Sequence, residues 1–328
     1  MPGPIFSIDV PATSANLGPG FDCFGLALQL YNKFLFQVIN DEPGKLVFRS
    51  NLHLKQNPRT NLVYKAYCFT LKCIGYPTIP GLDVSVISDI PSARGLGSSA
   101  TAVVAGVLAA GAVSKTNLRL SEAIEIATEI EGHPDNVAPA ILGGMTVSIQ
   151  DKNGVYSQKL DWPEELTVLV GIPDTKVRTQ SARRVLPKTV SFEDAVFNLG
   201  RSSLLISSLL TKDWRGLNIA MQDKLHQNAR ASLIPGFNRI ITKVLECGAI
   251  GCVLSGSGPC ILSVVDNSNP LAVEMSSNTI VSIWKNAKID SEVKQLKVQK
   301  STTKVKKLSP EEFQKFVGPH WTEKILIT

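Results

Sequence analysis

A run of small residues from Pro91 to Ala100 (PSARGLGSSA) lies between a segment that alternates apolar and polar residues and a long apolar segment rich in alanine. The alternation over 83–89 predicts a half-exposed strand, and the apolar segment over 98–113 predicts a buried helix. The glycines between them let backbone amides come close to a ligand, and the helix N-terminus adds unpaired donors and a positive dipole end. The segment therefore predicts an anion site suited to phosphate.

Two known nucleotide-binding patterns can be compared with this loop. The P-loop pattern GxxxxGK[ST] is excluded because no lysine follows the glycines. Gly95, Gly97 and Ala100 match the dinucleotide pattern GxGxxA, but the preceding strand is not continuously apolar and no acidic strand end follows about twenty residues on. A Rossmann-type NAD-dependent dehydrogenase is therefore a weak alternative. For this segment alone, an ordinary glycine-rich turn capped by serine is the alternative to a phosphate site.

The order of predicted elements places the chain among α+β proteins. Strands and helices are mixed along the 328 residues without strict β–α–β alternation, and a chain of this length exceeds one typical core. We predict two domains, 1–160 and 161–300, followed by a basic C-terminal tail over 301–328 that closes with a short helix. The predicted strands cover 5–10, 34–39, 83–89, 145–150, 166–172, 250–255 and 260–265; the predicted helices cover 60–74, 98–113, 121–131, 178–186, 191–210, 236–247 and 270–284; loops are expected over 11–20 and 132–136, and turn-rich polar segments over 151–154 and 161–165.

Net charge and cysteine usage limit the class of partner. Of the formal charge of +6, the segment from Lys285 to the C-terminus carries five, with ten lysines against five acidic residues, so the rest of the chain is nearly neutral. Outside this segment no basic stripe is interleaved with aromatic residues, which argues against nucleic acid as a partner. The six cysteines form no CxxC pair and lie among apolar or small residues, which predicts reduced, buried thiols in a cytoplasmic protein.

No association with a membrane is expected. The longest apolar stretch, over 100–113, is too short to span a bilayer and is rich in alanine and glycine. The first ten residues lack the cationic region of a signal peptide.

Two further loops of small residues follow predicted strands, PATSANLGPGFD over 11–22 and LSGSGP over 254–259. Each alone is a common type of glycine-rich turn. Together with IPSARGLGSSA over 90–100, they resemble in order and spacing the three signature motifs of the GHMP small-molecule kinases. The resemblance extends from about residue 5 to about residue 300. It implies a two-domain GHMP kinase architecture, with an N-terminal domain like ribosomal protein S5 domain 2 and a ferredoxin-like C-terminal domain.

Within this superfamily, three more segments are similar to the homoserine kinase branch: EGHPDNVAPAILGG over 131–144, TQSARRVLP from Thr179, and LHQNARASLIPG over 225–236. The resemblance implies ATP-dependent phosphorylation of the side-chain hydroxyl of L-homoserine, a step of threonine biosynthesis, and a homodimer. Another acceptor, of the shikimate or mevalonate type, is an alternative, as is a non-catalytic binding protein on a kinase scaffold.

The resemblance assigns ATP to the loop between the two domains, with backbone amides around the phosphates. Asn61 matches a family position beside the adenine, although an asparagine at a helix start that faces water explains it equally well. The ATP-binding residues that the resemblance implies are Asn61, Pro91, Arg94, Gly95, Leu96, Gly97, Ser98, Ser99, Ala100, Thr179 and Gly256.

A magnesium ion is implied as well, because Mg²⁺ takes hard oxygen ligands together with phosphate oxygens. The family pairs a serine of the second motif with a glutamate from a later helix, which fits Ser99 (or Ser98) and Glu131. Glu125 and Glu129 compete with Glu131 as part of a charged helix face.

Homoserine is a zwitterion, so its pocket should offer a cation to the carboxylate and an anion to the ammonium group. The planar fork of arginine binds a carboxylate through two bonds. The family's two carboxylate-binding arginines match Arg183 and Arg230, whereas the neighbouring Arg178 and Arg184 are expected on the solvated surface. The other positions that match the family's amino-acid site are Asn16, Asp22, His133 and Asp135.

Asn136 occupies the position where some relatives carry an aspartate base. An amide does not act as a general base at neutral pH, and phosphoryl transfer relies mainly on positioning and charge neutralisation. We therefore expect direct in-line attack by the substrate hydroxyl, with Asn136 as a catalytic residue that orients it beside Ser99 and Glu131. Asp22 and Asp135 are alternatives as bases, but binding of the ammonium group is the role we favour.

Overall fold

The computed structural model describes residues 3–51, 60–316 and, for the backbone, 325–327. Its elements confirm the α+β class. The strands are β1 (Ile5–Ala15), β2 (Phe24–Ile39), β3 (Leu46–Ser50), β4 (Gly81–Ser88), β5 (Met145–Asp151), β6 (Gly154–Leu160), β7 (Leu166–Pro173), β8 (Gly251–Leu254), β9 (Ile261–Asp266), β10 (Ser291–Leu296), β11 (Val305–Lys307) and β12 (Ile325–Ile327). The helices are α1 (Leu62–Cys73), α2 (Ser98–Ser114), α3 (Leu120–Glu131), α4 (Pro134–Leu142), α5 (Thr179–Arg184), α6 (Phe192–Thr211), α7 (Leu217–Ala220), α8 (Gln227–Arg230), a 3₁₀ turn (Ala231–Leu233), α9 (Phe237–Glu246), α10 (Pro270–Asn286) and α11 (Pro310–Phe316).

The first sheet has the order β11-β1-β2-β4-β3-β12, and β5 and β6 extend it from β2. Among its described strands, β3 and β4 are the pair that runs parallel. Helices α1 to α4 cover one face and bury a core to which α2 contributes mostly alanine and valine. These small side chains bring α2 close to the strands beneath it. The loop that precedes α2 therefore lies near the ends of β1 and β8.

The second sheet has the antiparallel order β10-β7-β9-β8. In terms of the order of its own strands along the chain this is 4-1-3-2, the order of a ferredoxin-like domain, as the resemblance implies. Helices α9 and α10 pack on one face around the buried ring of Trp284. The opposite face shares a core with residues of β1 and β2, so the two sheets are joined by one continuous apolar contact.

Two predicted loops are partly regular structure. The expected loop over 11–20 is wrong up to Ala15, because β1 continues past an irregularity at Pro11/Ala12 and pairs with β2. The expected break over 132–136 is wrong from Pro134 onwards, where α4 begins with a proline in its first turn. Proline is tolerated there because the first helical amides have no intrahelical partner.

A strand for which no prediction was made, β6, lies between the two turn-rich segments over 151–154 and 161–165 and pairs with β5. The predicted tail is not separate from the fold where the structure describes it, since β11 pairs with β1. The short helix expected there is α11, and Ser309 and Glu312 form a capping box at its start. The domain boundaries remain a prediction, although the chain leaves the first sheet after Leu160 and enters the second at Leu166.

All six cysteines are free, but Cys73 is exposed and only Cys252 and Cys260 are buried, so the expectation of buried thiols is wrong in part. No helix within the described ranges is long and apolar enough to cross a bilayer.

Candidate active site

The glycine loop before α2 has the backbone geometry that the sequence predicts. Gly95 and Gly97 adopt φ angles of +78° and +67°. A Cβ atom on Gly95 would lie 2.1 Å from the carbonyl oxygen of Ser255, and one on Gly97 would lie 2.0 Å from Oγ1 of Thr13. Glycine therefore lets this loop pack closely against the loop over 254–259 at Gly95 and against the segment over 11–22 at Gly97.

The backbone amides over 95–98 of this loop are not used in hydrogen bonds among the described residues. Gly97 is the N-cap of α2 and supplies no side chain to cap it. Within the described ranges, no protein acceptor is bonded to the amides of Gly95, Leu96, Gly97 or Ser98. Free amides at a helix N-terminus are suited to an anion.

Ser99 and Glu131 meet beside this loop. Ser99 Oγ donates a hydrogen bond of 2.6 Å to Oε1 of Glu131, which is the last residue of α3. Burial raises the pKa of Glu131, and the bond from Ser99 opposes this shift. Glu125 and Glu129 instead line a separate surface depression with Asp151. The geometry therefore favours Glu131 among the three glutamates.

A chain of hydrogen bonds begins at the start of α4. His133 Nδ1 lies 2.6 Å from Oδ1 of Asp135, and the same oxygen accepts a bond of 3.1 Å from Nδ2 of Asn136. Oδ1 of Asn136 in turn accepts a bond of 2.7 Å from Oγ1 of Thr13. Burial lowers the pKa of His133, but the bond and charge of Asp135 outweigh it and the net shift is upwards. The amide of Asn136 is thus held on both sides.

Opposite charges from the two halves of the chain meet at Asp22. Its carboxylate accepts two bonds from the guanidinium group of Arg183, at 3.0 and 2.7 Å, and its backbone amide donates to Oδ1 of Asn16. Hydrogen bonding to Asp22 raises the pKa of Arg183. Both Asn16 Nδ2 and Arg230 donate to the carbonyl oxygen of Gly256, at 3.0 Å each. Burial and the charge of Arg183 lower the pKa of Arg230.

One cavity of about 280 Å³ brings most of the predicted residues together. Its lining joins the glycine loop, the Ser99–Glu131 pair, the α4 start and the two arginines. The predicted residues on its wall are Asn16, Asp22, Arg94, Gly95, Leu96, Gly97, Ser98, Ser99, Glu131, His133, Asp135, Asn136, Thr179, Arg183, Arg230 and Gly256.

Three predicted residues lie elsewhere. Asn61 lines a neighbouring cavity of about 320 Å³, which shares Ala93, Ser98 and Ser99 with the first. Its side chain caps α1 through a bond of 3.0 Å from the amide of Tyr64, so Asn61 does stand at a helix start, but it is 2% exposed and does not face water. Its place beside the adenine stays a prediction. Pro91 and Ala100 line neither cavity.

Arg94 lines the first cavity, but its guanidinium group donates to the carbonyl of Pro173 and, at 2.6 Å, to Asp174. It joins the glycine loop to the end of β7. Arg178 is exposed but lines the cavity, so its assignment to the solvated surface is incomplete. Sequence analysis missed Thr13 as the partner of Asn136; its position within the first motif was the available signal.

The donor set fits a magnesium ion held mainly by phosphate. Ser99 and Glu131 present two hard oxygens next to free amides, and Mg²⁺ characteristically takes one or two carboxylates in addition to substrate phosphates. No cluster of three or more His, Cys, Asp or Glu side chains suited to a metal occurs in the described part of the chain.

Comparison with known proteins agrees with this geometry. The family model for the GHMP kinases N terminal domain matches residues 61–144, and the model for GHMP kinases C terminal matches residues 205–275. A galactokinase from Lactococcus lactis has the same fold, with a TM-score of 0.69 over 92% of this chain and 95% of its own at 13% identity. The fold and the site thus define a GHMP small-molecule kinase.

More similar relatives narrow the family. A homoserine kinase of Clostridium beijerinckii is 42% identical over 81% of this chain and 88% of its own length, and one of a Synechococcus strain is 38% identical over 91% and 97%. The crystal structure of a homoserine kinase from Cytophaga hutchinsonii superposes with a TM-score of 0.82 at 29% identity, covering 92% of this chain and 97% of that one. The chain belongs to the homoserine kinase family.

Proposed function

We propose that this protein transfers the γ-phosphoryl group of ATP to the side-chain hydroxyl of L-homoserine and forms O-phospho-L-homoserine. The observation that carries the proposal is the single cavity in which free loop amides and the Ser99–Glu131 pair face Asp22, Arg183 and Arg230. The first group suits a phosphate chain with its cation. The second suits an amino acid zwitterion.

The charges at the amino-acid end support this substrate over uncharged or singly charged acceptors. Arg183 and Arg230 are the cations for a carboxylate, and Asp22 is the anion for an ammonium group. Galactose carries no charge and would pair with neither the arginines nor Asp22. Mevalonate and shikimate have a carboxylate for the arginines but no ammonium group for Asp22. Burial of an unmatched charge costs free energy, so the zwitterion is the better complement.

The residues between the two ends support transfer by positioning. The amide of Asn136 is fixed by Thr13 and Asp135, so it can hold a hydroxyl in one orientation. Oδ1 of Asp135 already accepts from His133 and Asn136, and both oxygens of Asp22 accept from Arg183. We infer that the hydroxyl attacks in line and that its proton leaves to phosphate or solvent.

We propose that Ser99 and Glu131 hold Mg²⁺ through Oγ and the carboxylate, next to the amides of Gly95 to Ser98 that cradle the phosphates. When bound, the ion neutralises the charge that develops on the phosphates during transfer. Asn61 and its cavity are proposed to receive the adenine, because this cavity adjoins the loop at Ser98 and Ser99.

We also propose that the protein is a homodimer and works in the cytoplasm. Helix α6 exposes Phe192, Val196 and Leu199 on one face, with Phe192 86% exposed, and such a face is suited to an interface. Six free thiols are typical of a reducing compartment. Sedimentation equilibrium should give twice the chain mass of 35.4 kDa.

ADP production with L-homoserine, shikimate, mevalonate and galactose as single acceptors tests the substrate. The proposal predicts that homoserine gives the largest kcat/KM by orders of magnitude. ADP formation with mevalonate but not with homoserine would overturn it.

A further inference from the structure

A histidine outside the cavity wall, His226, contacts one of the proposed substrate-binding arginines. It precedes α8 and is 1% exposed. Its Nε2 lies 2.8 Å from the carbonyl oxygen of Gly18, and its Nδ1 lies 3.3 Å from a terminal nitrogen (Nη1) of Arg230. The ring of Phe21 lies beside it, 5.3 Å between centroids.

These contacts select one form of the ring. The carbonyl of Gly18 only accepts hydrogen bonds, so Nε2 must carry a proton. A guanidinium group only donates, so Nδ1 must be bare to accept from Arg230. The neutral ring with the proton on Nε2 is the form that satisfies both partners.

The surroundings of His226 agree with a neutral ring. Burial lowers the pKa of His226. Asp223 lies 3.7 Å from Nε2, but its oxygens accept shorter bonds from the backbone amides of Leu225, His226 and Gln227 and from the side chain of Asn198. The carboxylate therefore organises the start of α8 and does not need a charged imidazole.

Three hydrogen-bond acceptors and the ring of Phe21, 5.3 Å from the guanidinium carbon, surround Arg230. Its Nε donates to the carbonyl of Ala182, and Nη1 is shared between Gly256 and His226. Within the described ranges no protein atom accepts from the other terminal nitrogen, Nη2. The bonds of Nε and Nη1 fix the plane of the guanidinium group, and this plane sets the direction in which Nη2 faces the cavity.

The second contact of His226 reaches the loop that carries Asn16 and Asp22. Gly18 belongs to this loop, and a Cβ atom on it would lie 2.2 Å from the carbonyl oxygen of Met221. The loop is therefore seated against the segment that leads to α8. The bond from His226 to Gly18 spans 208 residues of sequence, and through His226 it joins this loop to Arg230.

We propose that His226 is a positioning residue that, as a neutral imidazole, accepts a hydrogen bond from Arg230 and thereby orients this arginine toward the substrate carboxylate. A second bond, from Nε2 to the carbonyl of Gly18, holds the proton on Nε2 and so leaves Nδ1 bare to accept from Arg230. The inference rests on the proposed function because it takes homoserine as the substrate.

Two substitutions separate the two bonds. The side-chain oxygen of His226→Asn stands at the position of Nδ1 and can still accept from Arg230, whereas the terminal amide of His226→Gln reaches the position of Nε2 and can still donate to Gly18. We expect His226→Gln to raise the homoserine KM about tenfold or more, since a bond to a charged group is lost. His226→Asn should stay within about threefold of the wild type, and the ATP KM should change less than about threefold in both.

A double-mutant cycle checks that His226 acts through Arg230. In the Arg230→Ala background, His226→Gln should change the homoserine KM by less than about twofold. Val244→Ala, in the buried face of α9 away from the cavity, is the control for loss of stability and should lower Tm without raising this KM.

The outcomes separate the two proposals. No homoserine-dependent ADP from the wild type would overturn the proposed function, and this inference with it. With an active wild type, the inference fails if the Asn variant raises the homoserine KM as much as the Gln variant, or if the effect of His226→Gln persists in full without Arg230. Each variant is judged on its own if the other does not fold, because a tenfold rise for Asn or an unchanged KM for Gln contradicts the inference.

Discussion

The carboxylate of Asp22 and the guanidinium group of Arg183 form two parallel hydrogen bonds across 161 residues of sequence. Asp22 follows β1 and Arg183 lies on α5, so each half of the chain supplies one charge to the cavity. The ammonium group of an amino acid can take the place of Arg183 beside Asp22, and its carboxylate can take the place of Asp22 beside Arg183. We infer that the pair prepares the cavity for an amino acid before it binds.

Arg183→Ala should raise the homoserine KM about 10- to 100-fold and leave the ATP KM within about threefold, because it removes charge-assisted bonds worth about 1.5–3 kcal/mol. Arg183→Lys should be intermediate, since an ammonium group lacks the planar fork. Arg184→Ala, at an exposed neighbour, is the matched control. Steady-state kinetics with each substrate varied would refute the assignment if Arg183→Ala affected only ATP.

Ser99→Ala and Glu131→Gln should raise the Mg²⁺ concentration for half-maximal velocity while homoserine binding, measured by calorimetry without nucleotide, stays unchanged. Because burial raises the pKa of Glu131, this Mg²⁺ concentration should rise in the wild type as the pH falls through that raised value. In Glu131→Gln the dependence should be absent. Glu129→Gln is the matched control, and an equal defect in it would contradict the choice of Glu131.

His133→Gln should reduce the free energy of unfolding in a pH-dependent way. The raised pKa of His133 means that the folded state binds the proton more tightly than the unfolded state. The extra stability is fully present below the ordinary value of 6.5 and is lost as the pH rises through the raised value. Urea unfolding of both proteins across this range measures it, and a difference that grows with pH would have the wrong sign.

Asn136→Ala should lose kcat with unchanged nucleotide affinity, because the hydroxyl is no longer oriented. Asn136→Asp should not exceed the wild-type rate, because it adds negative charge near an anionic phosphoryl group. Two like charges about 4 Å apart interact by about 4 kcal/mol at an effective dielectric of 20. The pH dependence of kcat decides between this account and a carboxylate base: loss of an acidic limb in Asp135→Asn, with collapsed kcat and unchanged homoserine affinity, would contradict it.

The sequence predicted the parts of the fold whose pattern is local. The alanine-rich α2 and the alternating β4 are periodic over enough residues to be recognised, and the glycine loop between them follows from their arrangement. Val305–Lys307 carries no such pattern, because its three residues are exposed and become a strand only by pairing with β1. Pro134 is ambiguous in sequence, since proline ends one helix as readily as it begins the next.

Family motifs point to side chains that share one cavity, whereas long-range contacts cannot be read from them. Glu131, Arg183 and Arg230 line the same cavity, and their roles there stay predictions. The hydrogen-bond partners of other site residues are distant in sequence. Thr13 bonds to Asn136 from 123 residues away, and Arg94 donates to Asp174. No spacing rule reports such contacts, because they depend on how the two sheets pack.

Product analysis tests the central claim most directly. After incubation with limiting ATP, Mg²⁺ and excess L-homoserine, phosphorus NMR should show one equivalent of a phosphate monoester, O-phospho-L-homoserine, for each equivalent of ADP. Formation of ADP with inorganic phosphate alone, or no ADP at all, would contradict the account.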